Sequence, residues 1–286
     1  MLGKNYLDMI VIRRTLSNAP YFFSHSLFFL SSYPSLIIHQ LDPLLIHFQD
    51  LPAMTSNDSQ FPIRCRGLLF DMDGTLIDTT VIVERHWKVW CDNHNVDFDT
   101  LIATSHGRPS FEVMKQWAPA HLQDEYQTPA YLSKLEENVL KDIDGMILIP
   151  GAIELLQSLP KTHWAVVTSA GLEMAQERFI QTGLATPPIM VTATHVTQGK
   201  PHPEGYMSAA KQLGLEPKDC VVFEDAPAGI RAGVAAGAKA VIGMNTGTMP
   251  LEHLIEAGAS PIVKSFNDLN IKVLDDGWIE ITKREA

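Results

Sequence analysis

Five short apolar runs, each cut off by polar residues, constrain this fold more than any other feature. They are Gly67–Phe70, Trp164–Val167, Ile189–Val191, Cys220–Phe223 and Ala240–Ile242. A strand with both faces covered is apolar throughout, so such runs read as interior strands of a parallel sheet. The stretches between them carry helix patterns. In Pro203–Leu213, Pro203 suits the first helical position, Tyr206, Ala210 and Leu213 share one face, and Gly214 can end the helix. Strands alternating with helices predict an α/β fold with a doubly wound parallel sheet. The interval from the first run to the second is too long for one crossover. Residues 79–148 hold helix-like segments at Val83–His94, Ser110–Trp117 and Pro129–Leu140 and no convincing strand. We therefore expect an inserted helical cap over 81–148 and a core made of 61–80 and 149–286. The tail from Ile271 to Ile281 alternates apolar residues around Asp276-Gly277, which predicts a hairpin.

Length and charge narrow the function classes. At 286 residues the chain is long enough for roughly two domains. Its hydrophobic share of 45% with 19% charged residues is that of a globular protein, which excludes a disordered or fibrous chain. A net charge of −11 argues against a nucleic-acid partner. Cys65, Cys91 and Cys220 are odd in number and scattered, with no C-x-x-C pair for zinc, an iron–sulfur cluster or a redox dithiol, so a reducing, cytoplasmic setting is expected. The greasiest region, Tyr21–Phe48, is interrupted by Ser24, His25, Ser26, Pro34, Asp42 and Pro43, which argues against a membrane span. In the first 53 residues Lys4, Arg13 and Arg14 balance Asp8, Asp42 and Asp50, so the whole net charge belongs to residues 54–286. Residues 1–60 are expected to stand outside the fold as a disordered tail, a targeting presequence or a segment preceding a start at Met54; two arginines are few for a presequence.

In open parallel sheets the ligand sits beyond the carboxyl ends of the strands, so the residues at the end of each apolar run should converge. Here they are Asp71-Met72-Asp73-Gly74-Thr75, Thr168-Ser169 and Glu224-Asp225, joined by Lys200 from the loop before a helix. A carboxylate pair, a hydroxyl, a cation and a second acidic pair suit phosphoryl transfer through a covalent aspartyl-phosphate. A carboxylate approaching a phosphate dianion meets on the order of 8 kcal/mol of repulsion at about 4 Å and an effective dielectric near 20. A cation must offset it, and Mg2+ fits an all-oxygen donor set. An EF-hand reading of Asp71-x-Asp73-Gly74 fails, because the later loop positions hold Thr75, Leu76 and Ile82. Gly229, Gly233 and Gly237 point to close packing on the sheet rather than a membrane face, since Arg231 lies among them. No G-x-G-x-x-G occurs to suggest a dinucleotide site.

Taken together, Asp71-x-Asp73-Gly-Thr75, Thr168, Lys200-Pro and Glu224-Asp225 resemble the four motifs of the haloacid dehalogenase superfamily, over residues 64 to 265. Ser105-His106-Gly107, Gly199–Glu204 and Val222–Gly229 look most like its glycerol-phosphate, 2-deoxyglucose-6-phosphate and hexitol or sugar phosphatases. The resemblance implies that Asp71 is the nucleophile and a Mg2+ ligand. It makes Asp73 the general acid and base, with its backbone carbonyl on the metal. Thr168 and the Ser169 amide would hold phosphoryl oxygens, and Lys200 would hold phosphate and Asp71. Asp225 would complete the metal shell, with Glu224 either a ligand or a support behind it. The helical insertion would close over the site. Arg108 is a candidate substrate contact, His106 a weaker one, and His195 and His202 read as structural or exposed.

The function so implied is Mg2+-dependent hydrolysis of a small phosphorylated polyol or sugar. Dehalogenases of the superfamily lack a second aspartate, and its phosphonate hydrolases recruit a cap lysine, so Asp73 disfavours both. A β-phosphoglucomutase-like sugar phosphomutase is the rival enzyme. A non-catalytic binding protein on the same fold is the rival of another class.

Overall fold

A computed structural model describes residues 60–126, 128–247 and 249–285. The expectations for the segment before Gln60 lie outside the described residues. In chain order the elements are β1 (Ile63–Cys65), β2 (Gly67–Phe70), β3 (Ile77–Asp78), α1 (Thr80–His94), α2 (Phe98–Ser105), α3 (Ser110–Trp117), α4 (Pro129–Lys141), β4 (Ile147–Leu148), α5 (Ala152–Ser158) and β5 (Trp164–Val167). They continue with α6 (Leu172–Thr182), β6 (Met190–Val191), α7 (Glu204–Gln212), β7 (Cys220–Glu224), α8 (Pro227–Ala235), β8 (Ala240–Met244), α9 (Leu251–Ala257), β9 (Ile262–Val263), β10 (Leu269–Val273) and β11 (Ile279–Lys283).

The apolar runs form a six-stranded sheet in the order β6-β5-β2-β7-β8-β9, with every neighbouring pair parallel. Period-two alternation splits each strand between two cores. Leu68, Phe70, Trp164, Val166, Val221 and Phe223 enter one. Leu69, Ala165, Val167, Cys220 and Val222 enter the other. Both faces are thus buried, which is why the strands read as unbroken apolar runs. Phe70 stacks on Phe223 with ring centroids 5.0 Å apart, tying the two central strands whose ends carry the acidic motifs.

The chain between β3 and β4 forms α1 to α4, which bury an apolar cluster of their own including Trp87, Trp90, Leu101, Met114 and Tyr126. This stretch differs from the sequence reading in two ways. Ile147–Leu148 is a short strand pairing antiparallel with Ile77–Asp78, where no strand was expected. Phe98–Ser105 is an additional helix, capped by Asp97, whose side chain accepts from Thr100 N. Pro203 stands at the N-cap of α7 rather than inside its first turn. The predicted hairpin forms, pairing Ile271 with Ile281 and Val273 with Ile279, and β1 adds to it as a third strand. No helix among the described residues is long and apolar enough to cross a membrane.

Candidate active site

The chain leaves β2 at Phe70 and turns at once. The Asp71 amide donates to Phe223 O at 3.0 Å, while Met72 O accepts from Leu76 N at 2.9 Å and from Ile77 N at 3.0 Å. Met72 is buried in the core, so Asp71 and Asp73, one residue to either side, both line the cavity above the sheet. The turn needs a glycine. Gly74 has φ +86°, and a Cβ there would fall 2.0 Å from Asp225 Oδ2.

Behind this loop lies a buried charge cluster. Lys200 Nζ pairs with Asp71 Oδ1, donates to Glu224 Oε1 at 2.7 Å and donates to Val167 O at 3.0 Å. Its side chain is only 5% exposed, so all three of its hydrogens find partners inside the protein. Glu224 is enclosed further still. Oε1 also accepts from Tyr206 OH at 2.9 Å, and Oε2 accepts from Ala226 N at 3.1 Å. Asp225 Oδ1 accepts from Thr75 Oγ1 at 3.2 Å, and Asp73 Oδ1 accepts from Thr79 Oγ1 at 2.7 Å.

Four carboxylates, Asp71, Asp73, Glu224 and Asp225, thus gather around one ammonium. Burial lowers the affinity of Lys200 for its proton, but Asp71 and Glu224 outweigh this and hold it above the ordinary lysine value. Burial raises Asp71 against the pull of Lys200, with Glu224 adding to the rise. It likewise raises Asp225, reinforced by Glu224 and Asp71, and raises Asp73 against its bond from Thr79. Carboxylates crowded this way favour a cation among them. Asp71, Glu224 and Asp225 each offer an oxygen, and these lie within 4.8 Å of one another. The donor set is all carboxylate, which suits a hard divalent ion. Glu224 already accepts three hydrogen bonds, whereas Asp71 Oδ2 and Asp225 Oδ2 face fewer competitors.

The cavity over these residues measures about 130 Å³ and is lined by Asp71, Asp73, Thr168, Ser169, Arg108 and Asp225 among others. Lys200 and Glu224 do not line it. Thr168 Oγ1 accepts from Ala170 N at 3.0 Å, which fixes the hydroxyl at the end of β5. The helical insertion reaches the core through specific bonds. Ser169 Oγ donates to Gly107 O at 3.0 Å, and Gly199 N donates to Glu112 Oε1 at 3.2 Å.

Every sequence-predicted residue therefore gathers at one end of the sheet, with differences in what each is free to do. Arg108 lines the cavity, but its guanidinium donates to Gln116 Oε1 at 2.9 Å and Thr104 O at 3.3 Å. His106 lines it too, 3.4 Å from Glu84 Oε1, and burial lowers its proton affinity despite that carboxylate. His195 Nδ1 accepts from Thr192 N at 3.1 Å and serves its turn. His202 is partly exposed and accepts from Glu204 N at 3.3 Å.

The sequence reading missed Thr79, Tyr206 as a partner of Glu224, and two charged residues of the cavity wall, Glu136 and Arg178. Arg178 is buried on α6, beside Ala175 and Phe179, which also pack into the core. A charge on an apolar helix face was its only signal.

A parallel sheet carrying Asp-x-Asp, Thr and Glu-Asp at its strand ends, with a buried Lys from the loop before a helix, defines a class of enzymes, and comparison with known proteins agrees. The sequence profile of the haloacid dehalogenase-like hydrolases matches residues 68–242. Hexitol phosphatase A of Escherichia coli is 39% identical over 78% of this chain and 96% of its own. Glycerol-1-phosphate phosphohydrolase 2 of Saccharomyces cerevisiae is 38% identical over 73% of this chain and 86% of its own. A crystal structure of a hydrolase from Pseudomonas syringae superposes with a TM-score of 0.59 at 27% identity, over 70% of this chain and 94% of that one. The chain belongs to the haloacid dehalogenase-like hydrolase family. It is a hydrolase of the phosphatase type.

Proposed function

We propose that the protein is a Mg2+-dependent phosphatase that cleaves a small phosphorylated polyol or sugar through a covalent phosphoaspartate on Asp71. The observation that carries this reading is the pairing of Asp71 and Asp73 on one cavity, the first held by buried Lys200 and the second by Thr79. An Asp71 oxygen attacks phosphorus while the ester P–O bond breaks, and the leaving alkoxide takes the proton of the Asp73 carboxyl. The resulting Asp73 carboxylate then removes a proton from water, whose oxygen attacks phosphorus, releasing phosphate and restoring Asp71. Burial, which raises Asp73, supports its carrying the first proton.

Thr168 Oγ1 and the Ser169 amide would hold phosphoryl oxygens. Asp71 and Asp225 would hold Mg2+, with the Asp73 backbone carbonyl, and the bound ion would neutralise phosphoryl charge. Since both Glu224 oxygens are engaged, we assign Glu224 to anchoring Lys200 and Ala226. Arg108, whose Nη1 donates to Gln116 and Thr104, holds the loop that carries Ser105-His106-Gly107. The helices of 81–148 act as a cap whose closure excludes bulk water. The names of the two curated relatives support a polyol phosphate as substrate. The free cysteines Cys65, Cys91 and Cys220 support a cytoplasmic, reducing setting.

The test is phosphate release from glycerol 3-phosphate, sorbitol 6-phosphate, mannitol 1-phosphate, 2-deoxyglucose 6-phosphate and β-glucose 1-phosphate, with Mg2+ and with chelator, for wild type and Asp71→Asn. Turnover that requires Mg2+ and drops by about 10³-fold or more in the variant is expected. Conversion of β-glucose 1-phosphate to glucose 6-phosphate without phosphate release would replace this reading with a mutase. Full activity in Asp71→Asn would end it.

A further inference from the structure

One loop of the helical insertion, from Gly107 to Glu112, meets the core beside three of the site residues. Gly107 O accepts from Ser169 Oγ at 3.0 Å, next to Thr168. A Cβ on Gly107 would fall 2.6 Å from Ala226 Cβ, next to Asp225. Glu112 Oε1 accepts from Gly199 N at 3.2 Å, next to Lys200. The chain itself joins the insertion to the core elsewhere, at the paired strands β3 and β4, where the end of α4 is also bonded to Arg178 of α6. The loop contacts can therefore part while the chain stays joined.

Of these contacts, the one to Gly199 has a charged acceptor, and such bonds are roughly twice as strong as neutral ones. Glu112 is placed for it. It stands in the first turn of α3, where a carboxylate favours the helix dipole, and its Oε2 lies 4.0 Å from Arg108 Nε. The fit is close on the core side as well. A Cβ on Gly199 would stand 2.4 Å from Pro109 Cγ and 3.0 Å from Glu112 Oε1. Gly199 is not one of the glycines with positive φ, so its backbone would admit another residue, and it is the docked insertion that excludes one.

We propose that Glu112 is a positioning residue that latches the helical insertion onto the loop of Lys200 and so holds the cap closed over a bound phosphate ester. This rests on the cap and phosphatase reading given above and names the contact that keeps the cap down. A hydrogen bond to a charged group sets the scale of its effect at about tenfold or more in the ratio of closed to open molecules.

The test places spin labels at Asn93→Cys, near the end of α1, and Met207→Cys, on α7, both exposed positions. Cys65, Cys91 and Cys220 are buried, which directs the labels to the introduced cysteines. Pulsed electron spin resonance on the full chain, with Mg2+ and inorganic phosphate, then measures the separation of insertion and core. Glu112→Ala removes the acceptor and Gly199→Ala wedges the contact from the core side. Each is expected to lower the ratio of closed to open molecules about tenfold or more, and to lower kcat/KM for the best ester of the panel above by a similar factor. Glu112→Gln keeps an oxygen that accepts from Gly199 and should stay within about threefold of the parent in both measurements. A merely structural role would reduce thermal stability and leave the separation in folded molecules unchanged, and unchanged separations in Glu112→Ala overturn the proposal. A wild type that releases phosphate from no ester fails the phosphatase reading instead; the separations need no turnover and still uphold or overturn the latch.

Discussion

Glu224 accepts from Lys200, Tyr206 and Ala226 at once, and α8 passes so near that a Cβ at Gly229 would lie 1.6 Å from Glu224 Oε1. Replacing a helical glycine by alanine normally stabilises by about 0.5–1 kcal/mol. Here the methyl can be admitted only if Glu224 lets go of its buried partners, and overpacking costs about 1–3 kcal/mol. Gly229→Ala is therefore expected to destabilise by about 1–2 kcal/mol net, measured by urea unfolding, and to lower kcat at least about tenfold as Lys200 loses its anchor. The same methyl on a solvent-facing helix would have the opposite sign. At this scale the sequence was informative wherever chemistry comes directly after a strand. Asp71, Thr168 and Glu224-Asp225 could be placed because the end of a buried apolar run fixes where the next side chain goes. Thr79 and Glu136 could not, because what they touch depends on how α1 and α4 pack, which no local pattern encodes.

Between elements, the junction of α4 and α6 carries the most weight. The last turn of a helix leaves carbonyls without internal partners. On α4 and the residue after it, Val139 O and Asp142 O accept from Arg178, and Leu140 O accepts from Gln181 Nε2 at 3.1 Å. One core helix thus satisfies the open end of the helix that bears Glu136. Arg178→Met strands two of those carbonyls, each costing about 1–3 kcal/mol when buried. Amides over 129–141 should then exchange with deuterium at least about tenfold faster while those of β2 and β7 keep their protection. Uniform acceleration across the sheet would show instead that Arg178 supports the whole core. Elements with a long pattern were legible, and Ser110–Trp117 and Trp164–Val167 lie where the sequence puts them. Ile77–Asp78 and Ile147–Leu148 are two-residue strands, too short to show any period, and Phe98–Ser105 buries only Leu101 and Ser105, too few to mark a face.

For the whole molecule, His106 pulls stability down in acid, against Asp71, Asp73 and Asp225, whose raised carboxyls favour the folded state as pH falls. Burial lowers its proton affinity in the folded state against the opposing Glu84, so the unfolded chain binds more protons just below the ordinary histidine value of about 6.5. The His106 contribution then drops as pH falls from about 6.5 toward the folded value, by up to about 1.4 kcal/mol per pH unit, and levels off below it. His106→Gln removes this component. On going from pH 7 to pH 5, urea unfolding should show the variant's stability shifted in the favourable direction relative to wild type, while an equal change in both would assign the pH dependence to other groups. The parallel sheet and its two cores can be read from the apolar runs, but how the first strand is held cannot. Ile63–Cys65 pairs with Ile279–Lys283, more than two hundred residues later in the chain. During synthesis on the ribosome, Ile63 and Cys65 wait without their partner until Ile279 to Ile281 have been made. A ribosome that stops between Asp225 and Ile279 releases a chain whose motif residues are all present and whose first strand lacks its partner β11, a species fit for chaperones and proteases to sort from the finished enzyme.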